Sequence, residues 1–146
     1  MPKPNSPSLT VDTIIELTDR PNTPILLIKR KNPPFGWAIP GGFVDIGETL
    51  ELAAIREASE ETCLHINLTY LLGCYSDPAR DPRGHTVSAV YIAQASGSPV
   101  AADDASEVGL FDPADLPSPL AFDHQQILND YLHFRLHGQR PALTSL

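Results

Sequence analysis

Cysteine is scarce in this chain of 146 residues: there are two, Cys63 and Cys74, and they form no CxxC pair. That excludes a disulfide framework and a thiolate zinc site. It leaves free thiols of the kind kept in a reducing compartment, so the cytoplasm is the expected location. Positive charge is also short, with 10 Lys and Arg against 18 Asp and Glu and a formal net charge of −8. Proteins that bind nucleic acid do so by neutralising phosphates with lysine and arginine, so no nucleic acid is expected as a partner. A small phosphorylated ligand stays compatible, because a bound metal ion can supply positive charge locally. No apolar run approaches the length of a membrane span, and Met1 to Thr10 is proline-rich rather than built like a signal peptide. No membrane association is expected. Nothing repeats, and no linker separates two cores. The length suits one domain over 1–146, with 1–8 expected to be flexible and 140–146 a tail.

What is present alternates between strand and helix signals. Val11 to Leu17 and Ile25 to Lys29 read as strands around a turn at Asp19 to Pro24. Pro33 and Pro34 make Lys31 to Phe35 a loop. Trp37-Ala38-Ile39 is a short extended run leading into a Pro40-Gly41-Gly42 turn. A helix is predicted from Thr49 to Thr62, with Leu52, Ile55 and Ser59 on its inner face. Ile66 to Tyr75, Thr86 to Ala95 and Val108 to Phe111 read as strands, and Asp123 to Leu136 as a final helix. The pattern is α+β.

The densest chemistry lies between Gly42 and Leu64. On a helix Glu57, Glu60 and Glu61 fall at i, i+3 and i+4, so their carboxylates leave one face within about one turn. Charge runs of this kind are usually solvated faces. Three carboxylates so close repel one another unless a cation sits among them, and magnesium is bound by a few carboxylates together with substrate phosphates. The residue types point to metal-assisted chemistry on a phosphorylated substrate.

Gly42, Glu48, Arg56, Glu57, Ala58, Glu60, Glu61 and Leu64 stand at the spacing of the Nudix box, and the segment resembles that motif, with Cys63 where the family has glycine. The resemblance implies an α/β/α sandwich, a mixed sheet between helices. It implies hydrolysis of a nucleoside diphosphate linked to another group, with Mg2+, or Mn2+ in its place, as cofactor. By the same resemblance Glu57 and Glu61 are metal ligands helped by the Gly41 carbonyl, and Glu60 is a further ligand or orients the attacking water. Arg56 and Glu48 form an ion pair that steadies the loop against the helix. The general base is either a box glutamate or a later carboxylate; Glu107 is the candidate there, with Asp103 and Asp104 as competitors. Cys63 sits at the helix end, where a left-handed residue is expected.

The stretch SDPARDPRGHTVSAVYIA, with Pro78, and the later ADDA and LAFDHQQIL resemble the branch of the family that acts on ADP-ribose. That resemblance implies ADP-ribose as substrate, cleaved to AMP and ribose 5-phosphate, and homodimerisation, which is common in the branch. Arg80 and Arg83 could meet phosphate or ribose, or could pair with aspartate to build a turn. Phe35, Trp37, Tyr75 and Phe111 are the candidates to face an adenine, and any of them could be core. His85 reads as a structural hydrogen-bonding residue. Two other readings are sanitation of oxidised nucleoside triphosphates such as 8-oxo-dGTP, and a non-catalytic sensor of ADP-ribose.

Overall fold

The computed structural model describes residues 5–143. The expectations for 1–4 and 144–146 lie outside the described residues. Seven strands and two helices follow in the order β1 (Ser8–Leu17), β2 (Ile25–Arg30), β3 (Trp37–Ala38), β4 (Gly41–Phe43), α1 (Leu50–Thr62), β5 (Asn67–Tyr75), β6 (Thr86–Ala95), β7 (Ala105–Phe111) and α2 (His124–His137). All seven strands join one mixed sheet.

The alternation of side chains along the strands explains the layering. On β1 and β6, Val11, Ile15, Leu17, Ala89 and Ala93 face the side packed by the Ala53, Ala54 and Ala58 positions of α1. Ile14, Val90 and Ile92 face the other side, where Ile127, Leu128 and Tyr131 of α2 pack. A sheet that is apolar on both faces needs a helix on each, and the sandwich follows.

The central pairing is parallel: β1 runs beside β6 over ten residues, from Ser8↔Thr86 to Leu17↔Ala95. On its other edge β1 changes partner. Ile15 and Glu16 pair with β2, whereas Thr10, Val11 and Asp12 pair with β4. A cleft opens where β2 and β4 diverge from β1.

Several expectations change. The Gly41-Gly42 turn is instead the short strand β4, and neither glycine has a positive φ. Close approach is what requires them: a Cβ on Gly41 would collide with the Val11 carbonyl and the Asp12 carboxylate, and one on Gly42 would lie 2.5 Å from the Glu57 carboxylate. The inner face of α1 is also different. Leu52 is 57% exposed and Ser59 is exposed, while Ala53, Ala54, Ala58, Glu61 and Thr62 are buried. Small side chains let the helix sit close on the sheet, so the alanines carry the contact that the larger residues were expected to make. Ser8, placed in the flexible segment, opens β1.

Candidate active site

Helix α1 begins at Thr49, whose hydroxyl accepts from the Leu52 N–H at 3.1 Å, and ends at Cys63 in the left-handed conformation, φ 60°. Between these caps the box carboxylates are spread around one arginine. Arg56 Nε donates to Glu48 Oε2 at 2.7 Å, and its terminal nitrogens reach Glu48 Oε1 (2.9 Å), Glu57 Oε1 (2.8 Å) and the Phe43 carbonyl (3.1 Å). Glu48 also accepts the Asp45 N–H at 3.0 Å. The Arg56 bonds, then the Asp45 N–H, hold the Glu48 carboxyl down to about 2. The loop from β4 to α1 is thereby tied to the helix.

Glu61 is 3% exposed and accepts the Gly41 N–H at 2.8 Å through Oε1. Burial, with Glu57 and Asp12 nearby, pushes its carboxyl up to about 8 against the lowering effect of that N–H. Glu57 is raised too, by burial that outweighs its bond to Arg56. Glu57 and Glu61 border a cleft of about 220 Å3 with Thr10, Asp12, Arg30, Phe43, Arg83, Asp104, Phe122 and His124. Glu60 is not among its lining residues; it is exposed and lies 3.3 Å from Arg56.

Beyond the box the structure redistributes the expected roles. Arg80 borders the cleft but is buried, with two bonds to Asp123 (2.8 and 2.9 Å) and one to the Thr86 hydroxyl (2.8 Å). Arg83 pairs with Asp81 through Nε and a terminal nitrogen (3.1 and 2.9 Å), the turn-building alternative, yet it also borders the cleft. Phe35 is 65% exposed on its loop and outside the cleft lining. Trp37 packs edge-on against Phe111 at 5.1 Å and pairs through its backbone with Pro119 and Ala121, so both rings belong to the α2-side core. Tyr75 is core as well, its hydroxyl donating to Asp130 at 2.7 Å. Glu107 does not border the cleft: β7 starts at Ala105, earlier than expected, and carries Glu107 opposite Lys29. Asp104, just before that strand, takes the place. His85 bonds the Ser76 carbonyl at 2.9 Å, a structural contact.

Asp12, Arg30, Phe43, Phe122 and His124 are cleft residues that sequence reasoning passed over. Arg30 lies over the Phe122 ring at 4.9 Å, and Arg83 lies between Phe122 (5.2 Å) and Phe43 (5.3 Å). The result is an alternating guanidinium–aromatic wall. Arg30 spends Nε on the Pro34 carbonyl (2.8 Å); among the described residues its terminal nitrogens make no further hydrogen bond. Asp12 is buried and bonded by the Ser88 hydroxyl, and burial pushes it up to about 6. Burial takes the His124 imidazole down to about 3. The one signal in the sequence was LAFDHQQIL, which places Phe122 and His124 on either side of the α2 cap residue Asp123.

Among the described residues no three acidic, histidine or cysteine side chains are gathered into a ready cation site. The donor chemistry nevertheless fits a hard divalent ion. Two carboxylates made basic by burial stand on one wall of the cleft, and magnesium completes its shell with water and phosphate oxygens.

A mixed sheet between two helices, with a capped glutamate helix against a diglycine strand, is one fold and one motif together. The chain belongs to the Nudix family, and the NUDIX domain model matches residues 8–131. It is 50% identical over 132 residues to the ADP-ribose pyrophosphatase of Methanocaldococcus jannaschii, covering 88% of this chain and 75% of that one. Among solved structures it is similar to the Nudix domain of Shewanella oneidensis NrtR complexed with ADP ribose, with a TM-score of 0.75, 33% identity, and 90% and 89% of the two chains covered. It is also similar to a bifunctional NMN adenylyltransferase/ADP ribose pyrophosphatase from Francisella tularensis complexed with AMP and a manganese ion. There the TM-score is 0.69, the identity 33%, and 88% of this chain and 42% of that one are covered.

Proposed function

We propose that this chain hydrolyses ADP-ribose to AMP and ribose 5-phosphate, using Mg2+ or Mn2+. One observation carries the reading: carboxylates (Glu57, Glu61, Asp104) and a guanidinium–aromatic stack (Arg30, Phe122, Arg83, Phe43) line a single cleft. A nucleoside diphosphate ester needs both, cation-binding oxygens and positive charge for the phosphates, and ring faces for the base. The similarity to an ADP-ribose pyrophosphatase supports the choice of substrate.

In this reading Glu57 and Glu61, with the Gly41 carbonyl, would hold the divalent ion, and Glu60 would be a further ligand or orient the attacking water. The bound ion supplies charge neutralisation of the pyrophosphate and a lowered pKa for water. The Gly41 N–H fixes Glu61 Oε1 and leaves Oε2 as the free ligand atom. Arg56 sets the Glu57 rotamer and, through Glu48, the loop that closes this end of the cleft. Arg30 contacts the phosphates with its terminal nitrogens, while Phe122 and Phe43 offer faces to the adenine or ribose. Asp104 or a box glutamate takes the proton of the attacking water, which adds to one phosphorus as the bridging P–O bond breaks.

Two exposed free thiols support a cytoplasmic setting, and homodimerisation is part of the proposal. Light scattering on the purified chain tests the dimer. A second reading, a sensor that binds ADP-ribose without cleaving it, is favoured by the likeness to the NrtR domain. The experiment is incubation with Mg2+ and ADP-ribose, NADH, diadenosine polyphosphates and 8-oxo-dGTP, with products identified. AMP and ribose 5-phosphate formed fastest from ADP-ribose support the proposal. Preference for 8-oxo-dGTP replaces the substrate, and binding of ADP-ribose without turnover establishes the sensor.

A further inference from the structure

The first turn of α2 makes a buried contact that the chemistry above does not use. His124 is 1% exposed, and its Nδ1 accepts the Ile39 N–H at 3.0 Å. A ring nitrogen that accepts from an N–H carries no proton of its own, so the imidazole is the neutral tautomer with hydrogen on Nε2. Ile39 begins three consecutive residues that are each tied to a different element. Its N–H goes to α2 through His124, the Pro40 carbonyl accepts the Thr13 N–H of β1 at 2.8 Å, and the Gly41 N–H goes to Glu61 of α1 at 2.8 Å. The flanking strands β3 and β4 have two and three residues. Strands that short do not hold a segment in place unaided. The neighbouring Asp123 takes both bonds from Arg80, so the same helix start also anchors the loop that carries Asp81 and Arg83.

We propose that His124 is a positioning residue: its Nδ1 sets the Ile39–Gly41 segment and, through it, the Gly41 N–H that orients Glu61. This rests on the reading of Glu61 and Gly41 as cation-binding groups. His124 borders the cleft and acts through the Ile39 N–H, not as a ligand of the ion.

Two substitutions separate a hydrogen-bonding role from packing. His124→Leu fills the space and removes the acceptor. His124→Asn is smaller, but its Oδ1 stands the same number of bonds from Cβ as the imidazole Nδ1. The proposal requires Asn to outperform Leu, and packing alone requires the reverse. For whichever nucleotide the wild type hydrolyses, His124→Leu is expected to lower kcat by about 10–100-fold, the range for partners that orient a metal ligand. KM is expected to stay within about threefold, the split produced when orientation rather than binding is lost. Mn2+ affinity, read by electron paramagnetic resonance, falls with kcat in the Leu variant and returns in the Asn variant. Two readouts need no turnover. Nitrogen-15 NMR of the wild type shows the Nε2–H tautomer, and the Ile39 amide exchanges slowly in the wild type and the Asn variant but faster in the Leu variant. A Leu variant as active and as protected as the Asn variant overturns the proposal, as does an Nδ1–H tautomer. Should both variants fail to fold, the wild-type tautomer and Ile39 exchange decide it. A wild type that cleaves no nucleotide while Ile39 stays protected defeats the hydrolase reading and leaves the contact standing.

Discussion

At the scale of single residues, the cleft is built from charges that burial has made costly. Glu61→Gln keeps the shape and the bond from Gly41 but removes the anionic ligand. Turnover should fall by at least about 100-fold, since even indirect partners of a metal ligand are worth 10–100-fold. The thermal midpoint without metal should hold or rise slightly, because a desolvated carboxylate is replaced by a neutral amide. Activity above about a tenth of wild type, read as AMP formed from ADP-ribose, sinks the ligand role. His124 and Asp12 give a pH prediction. The imidazole, held down to about 3 in the fold, contributes stability that is present above the unfolded value near 6.5 and is lost as pH falls toward 3. Asp12, pushed up to about 6, works in the opposite sense, its contribution growing as pH falls from 6 toward 4. Glu61, pushed up to about 8, adds to the Asp12 slope, so one carboxylate is left uncompensated and wild-type stability should rise as pH falls from about 6 to 4.5. In His124→Asn the opposing imidazole is gone, and denaturant midpoints across that window should rise more steeply on acidification than in the wild type. The box was readable before the fold because its spacing is local and regular. Arg30, Phe122, Asp12 and His124 were not, since they come from β2, the start of α2 and β1, and only the fold brings these together.

At the scale of elements, α1 is a helix positioned by its ends and its small face. Thr49→Ala removes the hydroxyl that accepts the Leu52 N–H and should cost about 1 kcal/mol. Cys63→Gly relieves a Cβ at φ 60° and should add up to about 1 kcal/mol without changing activity. Chemical denaturation reads both, and a clear loss in the glycine variant would mean the thiol packs usefully. Gly42→Ala tests the helix–strand approach. Its methyl would meet the Glu57 carboxylate at 2.5 Å, so Glu57 must turn away, and activity should drop far more than stability. The helix itself was legible, but its buried face was not. Hydrophobic periodicity pointed to Leu52, and the structure instead packs Ala53 and Ala54 with Val11, Ala89 and Tyr91.

At the scale of the whole molecule, the strand pattern revealed the layers and concealed the connections. Alternation along β1 and β6 is visible in the sequence, yet nothing local says that these two strands run parallel to each other or that β1 divides its far edge between β2 and β4. The acidic balance has a further expected outcome. If Glu57 and Glu61 hold the ion, adding Mg2+ at 100 times its dissociation constant should stabilise the fold by about 2.7 kcal/mol, and far less in Glu61→Gln. Differential scanning calorimetry with and without chelator measures it.

The parallel β1–β6 pairing also bears on how the chain is made. During synthesis β1 leaves the ribosome before β6, and its partner along all ten positions begins only at Thr86. At about 5–20 residues per second, the nascent strand waits several seconds with an unpaired apolar edge. Ile14, Ile15 and Leu17 are exposed to chaperones, or to a second nascent copy, for that whole interval. The yield of folded protein should then depend more on translation speed between β2 and β6 than on any substitution in the finished cleft.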